Sequence, residues 1–505
     1  MIGETVADRR LHPGTIAIRF LKEAPRTLIG LPAVLALMSD VGWGMIALLA
    51  ALSVLVLGFT QWVGWRRFRY GLGAREILIE SGLLSRNRRS IPFDRIQDLD
   101  IERGPLHRLF GLAKVRIETG AGGKDEGVLD SLTLAEADRL RGAIRIGRSG
   151  APVDIEAGTT PAAPPPSRLL FAMPPGRVLL SGLFNFSLIW VAGLFGLLQT
   201  FNELLPFELD DLQRWLGFAE EKLVGRFTIG AAAAALLVAL LLGIVTGVVR
   251  TVSRDWGFRL LAEGRRLRRE RGLLTRTEIV IPKRRVQLAL LKTGPLRTRF
   301  GISELMLQTL GSNGGQGGLQ SVAPFARAPE IARIMAELPG LPLPGNTELA
   351  QVSSRHILRI AIRTMALPAI AIGVGAAWRP EVLALLLLLP LLLGGAVLRR
   401  RYHRYGVVGR MLFVRAGFWR RQTWAVPMAN AQTVSLRQSF LQRRLGLATL
   451  AIDTAGAPTF GGPRIVDLSL DRARALREDI LTKLRDAGRE RSPERSLDRI
   501  GEAGG

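Results

Sequence analysis

Apolar residues gather into six runs that fall in three pairs: 27–42 with 43–65, 178–201 with 228–249, and 357–377 with 381–398. Each run is close to the roughly 20 residues a helix needs to cross a hydrocarbon core of about 30 Å. The stretch Ala231–Val249 has no polar face, so a helix there reads as membrane-spanning rather than half-wetted. Pro32 and Pro390 interrupt two of the runs. Between the pairs the period changes. In Glu76-Ile77-Leu78-Ile79-Glu80 and in Ala113–Thr119 apolar and polar residues largely alternate, as in strands with one wet face. Amphipathic helices should follow. Thr133 and Glu136 have capping-box spacing, Pro329 suits a first helical turn, and Asp471 can cap the last helix.

The polar regions are three copies of one unit, at residues 80–120, 270–311 and 415–456. From the first glycine of each copy (Gly82, Gly272, Gly417), a proline follows ten positions later (Pro92, Pro282, Pro427) and a glutamine at fifteen (Gln97, Gln287, Gln432). A second glycine follows at twenty-nine (Gly111, Gly301, Gly446) and a threonine at thirty-seven (Thr119, Thr309, Thr454), with no gap. Repetition places the function in the unit and its arrangement rather than in one grafted site. Ser81-Gly82 and Ala416-Gly417 read as hairpin turns. The register prolines and glutamines read as structural. The segments LHRLFG, TRFG and RRLG read as a short helical turn closed by glycine. Leu109, Phe110 and Leu445 are expected to plug the end of a small barrel, with His107 and the arginines at the surface. Glycine-rich loops follow at 120–127, 311–318 and 455–462, and proline-rich linkers at 158–167 and 338–346.

Charge orients the runs. A net charge of +26, from 69 Lys+Arg against 43 Asp+Glu, calls for an anionic neighbour. Arg66-Arg67, Arg250 to Arg254 and Arg399-Arg400-Arg401 follow the second, fourth and sixth runs. The 202–227 loop carries Glu203, Glu208, Asp210, Asp211, Glu220 and Glu221 instead. The positive-inside rule then places all three repeats and both termini in the cytoplasm. The apolar residues of the 202–227 loop suggest an amphipathic helix on the outer surface. Met1 to Arg26 has no signal-peptide layout. The absence of cysteine excludes disulfides and thiolate chemistry.

At this point the motif G-[LF]-[LW]…I/V-P…Q…G-P-L…R…G-[LI] resembles the bacterial pleckstrin-homology (PH) domain membrane proteins of the YdbS/YdbT type. RSIPFDRIQDLDIERGPLHRLFG in copy one matches best. Copy two keeps Gly294-Pro295 and is more basic. Copy three has Gln438-Ser439 in place of Gly-Pro, and Asn430 where Arg95 and Arg285 stand. The resemblance implies a seven-stranded PH barrel capped by a helix, with paired transmembrane helices before each, and no established activity. The expected fold is an α+β membrane protein with six transmembrane helices in three hairpins. Three cytoplasmic PH-like β-barrels, each capped by a C-terminal helix, complete it. Hairpin one with its N-terminal segment occupies 1–65, domain one 66–150, a linker 151–176, and hairpin two with its acidic outer loop 177–249. Domain two occupies 250–340, a linker 341–356, hairpin three 357–398, domain three 399–488 and a disordered tail 489–505.

Catalytic chemistry finds no support in the pattern. The four histidines, His12, His107, His356 and His403, have no metal-ligand spacing and no two adjoin in one repeat. Gly122-Gly123-Lys124 lacks the frame of a phosphate loop, since Asp125 follows the lysine. No carboxylate pair recurs. The basic residues leave two readings, a solvated surface beside an anionic leaflet or specific head-group contacts. The candidate contacts are Arg86, Arg88, Arg89, Arg95 and Arg108 in copy one and Lys283, Arg284 and Arg285 in copy two. Aromatic residues at 6% give no recurring stacking platform for nucleic acid. The expectation is a non-catalytic protein of the bacterial inner membrane that binds or scaffolds at its cytoplasmic face, in envelope maintenance. Its expected partners are membrane phospholipids and proteins of a membrane complex, with no nucleic acid, cofactor or metal. A transport or export component is the alternative, and a lipid-acting membrane enzyme a further one.

Overall fold

The computed structural model describes residues 7–24, 43–73, 75–82, 87–119, 127–148, 167–185, 224–309, 318–338, 340–342, 349–455 and 462–502. The first apolar run, the 202–223 part of the acidic loop, the cores of the glycine-rich loops and Arg86 lie outside the described residues.

The first copy contributes β1 (Arg69–Leu72), β2 (Glu76–Ser81), β3 (Asn87–Pro92), β4 (Ile96–Arg103), β5 (Leu112–Thr119) and β6 (Val128–Thr133). The second contributes β7 (Arg168–Ala172), β8 (Arg259–Glu263), β9 (Arg266–Arg271), β10 (Arg276–Pro282), β11 (Val286–Thr293), β12 (Ile302–Thr309) and β13 (Leu319–Arg327). The third contributes β14 (Ala350–Gln351), β15 (Arg404–Val408), β16 (Met411–Ala416), β17 (Arg421–Pro427), β18 (Ala431–Arg437), β19 (Leu447–Thr454) and β20 (Arg464–Ser469). The register proline ends β3, β10 and β17, where a corner turns the chain into the next sheet. The corner is a 3-10 turn at Lys283–Arg285 and Met428–Asn430. Gly82, Gly272 and Gly417 all have positive φ at the hairpin that precedes those strands.

These strands do not close into three separate barrels. Their order is β1-β2-β3, then β6-β5-β4-β10-β9-β8-β7, then β13-β12-β11-β17-β16-β15-β14, then β18-β19-β20. Each seven-stranded sheet therefore joins the second half of one copy to the first half of the next. The cores are shared in the same way. Alternate residues of one strand serve different cores: Met411 and Phe413 face the second copy's interior, while Leu412 and Val414 face the third's. A strand covered on both faces is apolar at successive positions rather than alternating, as Met411 to Val414 are. Leu288 and Leu290 of copy two likewise belong to the third copy's core. Burying such a side chain is worth about 1.5–3 kcal/mol, so neighbouring copies stabilise one another.

The apolar segments are inserted within the units rather than placed before them. β7 pairs with β8 and β14 with β15, each across an intervening apolar segment. In copy one Arg9 bridges Tyr70 in the same manner. The linkers drawn at 151–176 and 341–356 thus contain β7 and β14, which are strands of the following units. The helices that leave and return are 14–24 with Trp43–Arg67, Pro175–Leu183 with Val224–Asp255, and Arg355–Ala376 with Leu389–Tyr402. Among the described residues, three segments are long and apolar enough to cross a membrane: Leu237–Asp255, Arg355–Ala376 and Pro380–Tyr402. Only 17, 11 and 6% of their most apolar stretches is buried in protein, so their apolar surface is left for lipid. The second hairpin closes tightly at two glycines. A Cβ on Gly182 would sit 2.7 Å from the Val248 Cα, and one on Gly247 2.8 Å from the Asn185 carbonyl.

Each unit ends in a helix: Leu134–Arg148, Ala328–Ala336 and Leu470–Glu502. The Glu136 amide donates to Thr133 Oγ1 at 3.3 Å, as the spacing predicts, and Pro329 lies in the first turn. Asp471 does not cap; it sits inside the first turn, after Ser469 and Leu470. The tail expected from 489 is helical as far as Glu502.

Candidate membrane interface at the hairpin bases

The short helix of the repeat motif occupies Pro105–Leu109, Pro295–Arg299 and Phe440–Arg444. Proline in the first turn of the first two, and Ser439 with Gln442 as a capping box in the third, start it. Gly111, Gly301 and Gly446, all at positive φ, end it. One side of this helix faces the base of the hairpin. The residue twenty-five positions after the first glycine does so in every copy, although it is His107 in one, Arg297 in the next and Gln442 in the last.

In copy one His107 is buried and its Nε2 lies 3.0 Å from Asp130 Oδ1; Arg19, on the outgoing hairpin helix, donates Nε to Asp130 Oδ2 at 3.2 Å. Burial would raise the Asp130 carboxyl, but the His107 bond and the Arg19 charge hold it down at about 2. The surface position expected for His107 is therefore corrected. In copy two Arg297 donates Nη2 to Asn185 Oδ1 at 2.7 Å, and Asn185 Nδ2 donates to Thr251 on the returning helix at 3.1 Å. Arg177 at the hairpin start forks onto Glu330 of the closing helix at 2.6 and 2.7 Å. Such charge-assisted forks fix direction as well as distance.

Copy three has the densest cluster. Asp467, fully buried with φ 62°, accepts from His356 Nδ1 at 2.6 Å, Arg359 Nε at 2.7 Å and Gln442 Nε2 at 2.6 Å. Burial opposes its ionisation, yet the bonds from His356 and Gln442 and the Arg359 charge lower its pKa. The rings of His356 and His403, at opposite ends of the hairpin, lie 5.9 Å apart. The hairpin thus joins two histidines that are distant in the sequence. Strand register places Ser131, Phe325 and Asp467 at one position, two residues before Thr133, Arg327 and Ser469. Ser131 shares the positive φ of Asp467, while in copy two Arg297 lies over the Phe325 ring at 5.8 Å. One joint is built with three chemistries.

The other side of the motif helix is apolar and bare. Leu109 is 78% exposed and Phe110 41%, with Leu296, Phe300 and Phe440 similarly open; Leu445 is half-buried. The barrel-end plug is overturned for Leu109 and Phe110, because the polar residue at the twenty-fifth position takes the inward side and the described strands close no barrel end to fill. Phe300 stacks edge-on against Phe184 at the end of the Pro175–Leu183 helix, which ties this rim to the base of that helix pair.

The candidate basic residues do not gather at one place. Arg88 and Arg89 are exposed on β3, Arg88 lying 3.5 Å from Glu80. Arg95 and Arg284 are exposed at the corners that follow β3 and β10. Arg108 donates Nη1 to the Leu273 carbonyl of the next copy at 2.6 Å, and Lys283 Nζ lies 2.5 Å from Glu337. Arg285 is buried. Of the register glutamines, Gln287 donates to the Arg285 carbonyl at 3.2 Å, and Gln432 is exposed on β18.

Residues 26–146, 213–339 and 362–484 match the bacterial PH domain family. UPF0699 transmembrane protein YdbT of Bacillus subtilis (strain 168) is 24% identical over 403 residues, which cover 77% of this chain and 80% of that protein. UPF0699 transmembrane protein YdbS of the same organism is 38% identical over 77 residues, 15% of this chain and 46% of that protein. No solved structure matches the chain. Relatives that are transmembrane proteins, together with apolar helices bare of protein contacts, make this a membrane protein. With three matched regions that span most of its length, the chain belongs to the bacterial PH domain family.

Proposed function

We propose that the protein is a non-catalytic scaffold of the bacterial inner membrane, built as three hairpins of six spans with three PH domains and both termini in the cytoplasm. The observation that carries this reading is the insertion of each hairpin between the first and second strands of its domain. A domain whose sheet is threaded by its own anchor cannot swing away from the bilayer, and continuous sheets lock the three domains into one row. The polar joints at the hairpin bases add to this, because Asp130 and Asp467 each tie a strand of the sheet to the helix that leaves it. Arg66, Arg67 and Arg399 to Arg401 follow apolar runs and suit an anionic leaflet, at about 1 kcal/mol per basic residue near its surface. The exposed Leu109, Phe110, Leu296, Phe300 and Phe440 beside the hairpins suit the acyl boundary. Phospholipids are then the constant partners. A rigid row suits the organisation of proteins at the cytoplasmic face, in maintenance of the envelope.

Labelling tests the arrangement, since the chain has no cysteine of its own. A membrane-impermeant maleimide should label Glu208→Cys in intact spheroplasts, and Arg95→Cys or Arg284→Cys only after permeabilisation. Labelling of either arginine position from outside overturns the reading. Phe110→Cys and Phe440→Cys carrying a thiol-linked fluorophore, in reconstituted full-length protein, should be quenched by phospholipids brominated high on the acyl chain, a site-specific readout because the chain has no cysteine of its own. Emission indifferent to the brominated lipid removes the membrane rim from the proposal.

A further inference from the structure

The two junctions inside the chain repeat one strand pairing. Between copies one and two, Arg276 lies opposite Arg103, Thr277 opposite Glu102 and Glu278 opposite Ile101. Between copies two and three, Arg421 lies opposite Thr293, Gln422 opposite Lys292 and Thr423 opposite Leu291, and the ladder continues through Trp424–Leu290 and Ala425–Ala289. Aligned on their first glycines, these are the same positions. The strand that ends at the register proline adds to the following strand of the preceding copy, in one register, twice.

A row built by such a rule has two unlike ends. At one end β3, the counterpart of β10 and β17, has β2 as its neighbour in the sheet. At the other β18, the counterpart of β4 and β11, has β19. Among the described residues, the outer edges have no strand beyond them where the internal ones do. Asn87, Arg88, Arg89 and Ser90 are exposed, whereas their counterparts Gln422 to Ala425 are half-buried or buried. Gln432 and Thr433 are exposed, whereas their counterparts Gln287 and Leu288 are buried. An exposed sheet edge can template a further strand.

We propose that these ends join copies of this chain. β18 of one copy adds to β3 of another in the register of the internal junctions, with Arg437 opposite Asn87, Leu436 opposite Arg88, Ser435 opposite Arg89 and Val434 opposite Ser90. The occupant follows from continuity with the junctions already present: each end is the half that the other lacks. Charge agrees. In this register no arginine faces another, so the pairing avoids even the one Arg276–Arg103 opposition that the first internal junction carries. Two β3 edges meeting antiparallel would bring the Arg88-Arg89 pairs of both copies together. The contact is heterologous, so it closes into a ring or extends as a filament according to the angle per copy. Anchorage of every copy in one bilayer keeps the ends at a common height.

The test again uses the absence of cysteine. Full-length Asn87→Cys with one tag and full-length Arg437→Cys with another are co-expressed and oxidised in isolated membranes. Opposed residues of an antiparallel pair have Cα atoms about 4.5–5.5 Å apart, within the roughly 4.4–6.8 Å a disulfide spans. A disulfide-linked species carrying both tags is expected, and a ladder of multimers when both substitutions share one chain. Glu102→Cys with Thr277→Cys, the same register position at an internal junction, should close within a single chain and calibrates the yield. Asn87→Cys with Gln432→Cys, out of register, should stay uncrosslinked. The proposal is overturned if the internal pair closes and the end pair does not. Equal yields from the in-register and out-of-register pairs, or capture of a different protein by Asn87→Cys, overturn it as well.

Discussion

Acidification is expected to loosen the third domain between about pH 6.5 and pH 4, through His403. This side chain is 6% exposed, and its Nε2 accepts from the Val466 amide at 3.4 Å, which only an unprotonated nitrogen can do. Burial first, then the neighbouring His356, pushes the imidazole down to about 4; Asp467 and the backbone of Arg464 pull the other way without prevailing. In the unfolded chain the same group titrates near 6.5. Between the two values the unfolded state binds the extra proton, so stability is complete above about pH 6.5 and falls as the pH drops toward 4. A difference of about 2.5 pKa units, at about 1.36 kcal/mol each, is worth about 3 kcal/mol, or roughly a hundredfold rise in local opening. Asp467 acts in a lower window. Its folded pKa is depressed, so its contribution holds above the unfolded value near 3.9 and is lost only on further acidification. Hydrogen exchange of the β15 and β20 peptides in detergent-solubilised full-length protein, corrected for intrinsic exchange rates, reads the effect. His403→Gln keeps a neutral acceptor and should flatten the profile. Equal opening at pH 7 and 4.5 in the unaltered protein, or the same slope in His403→Gln, would refute the assignment.

Three further outcomes are expected. Asp467→Asn keeps a residue that tolerates φ 62° but strips the charge from the Arg359 contact, and should cost about 3–5 kcal/mol, seen as a lower melting temperature and faster exchange in β19 and β20. Gly272→Ala would place a Cβ 1.9 Å from the Thr275 carbonyl at φ 114°, so exchange protection across β9 and β10 should collapse while the hairpins still insert. Phe110→Ala, at an exposed rim, should change fold stability by less than about 1 kcal/mol, read as an almost unchanged melting temperature in detergent.

Much of the local architecture was legible in the sequence. The turn glycines, the proline corners, the glycine stop of the motif helix and the Thr133 cap all lie where spacing puts them, because each depends on backbone chemistry within a few residues. The hairpin insertion was not legible. β14 has only Ala350 and Gln351, and in copy one a single bridge at Arg9 does the same work. Strands that short carry no period, and their partners lie beyond a whole hairpin. The hairpin-base joints were missed for a different reason. His107, Arg297 and Gln442 share a position but not an identity, so a comparison for identical residues passes over them. The usable signal was a polar residue in register directly after the leucine that recurs in place in each copy, Leu106, Leu296 and Leu441.

Leu109 and Phe110 show why burial cannot be read from residue type in a protein of this kind. In water an apolar pair beside a glycine stop belongs inside; beside a membrane hairpin, lipid competes with the core for the same side chains. The inward place was already taken by His107, whose bond to Asp130 ties the motif helix to the last strand, with Arg19 of the hairpin completing the joint. A buried polar residue must keep its partner, because an orphaned group costs about 1–3 kcal/mol, while an apolar one loses little by facing acyl chains. Polar residues therefore set which way the motif helix turns. The sharing of sheets had a signal of its own. Leu288 to Leu291 and Met411 to Val414 are apolar at successive positions, and a strand with one wet face would alternate. Copy one offers a contrast, since β3 reads Asn87-Arg88-Arg89-Ser90 where β17 reads Gln422-Thr423-Trp424-Ala425. That difference in polarity marks β3 as the end of the row.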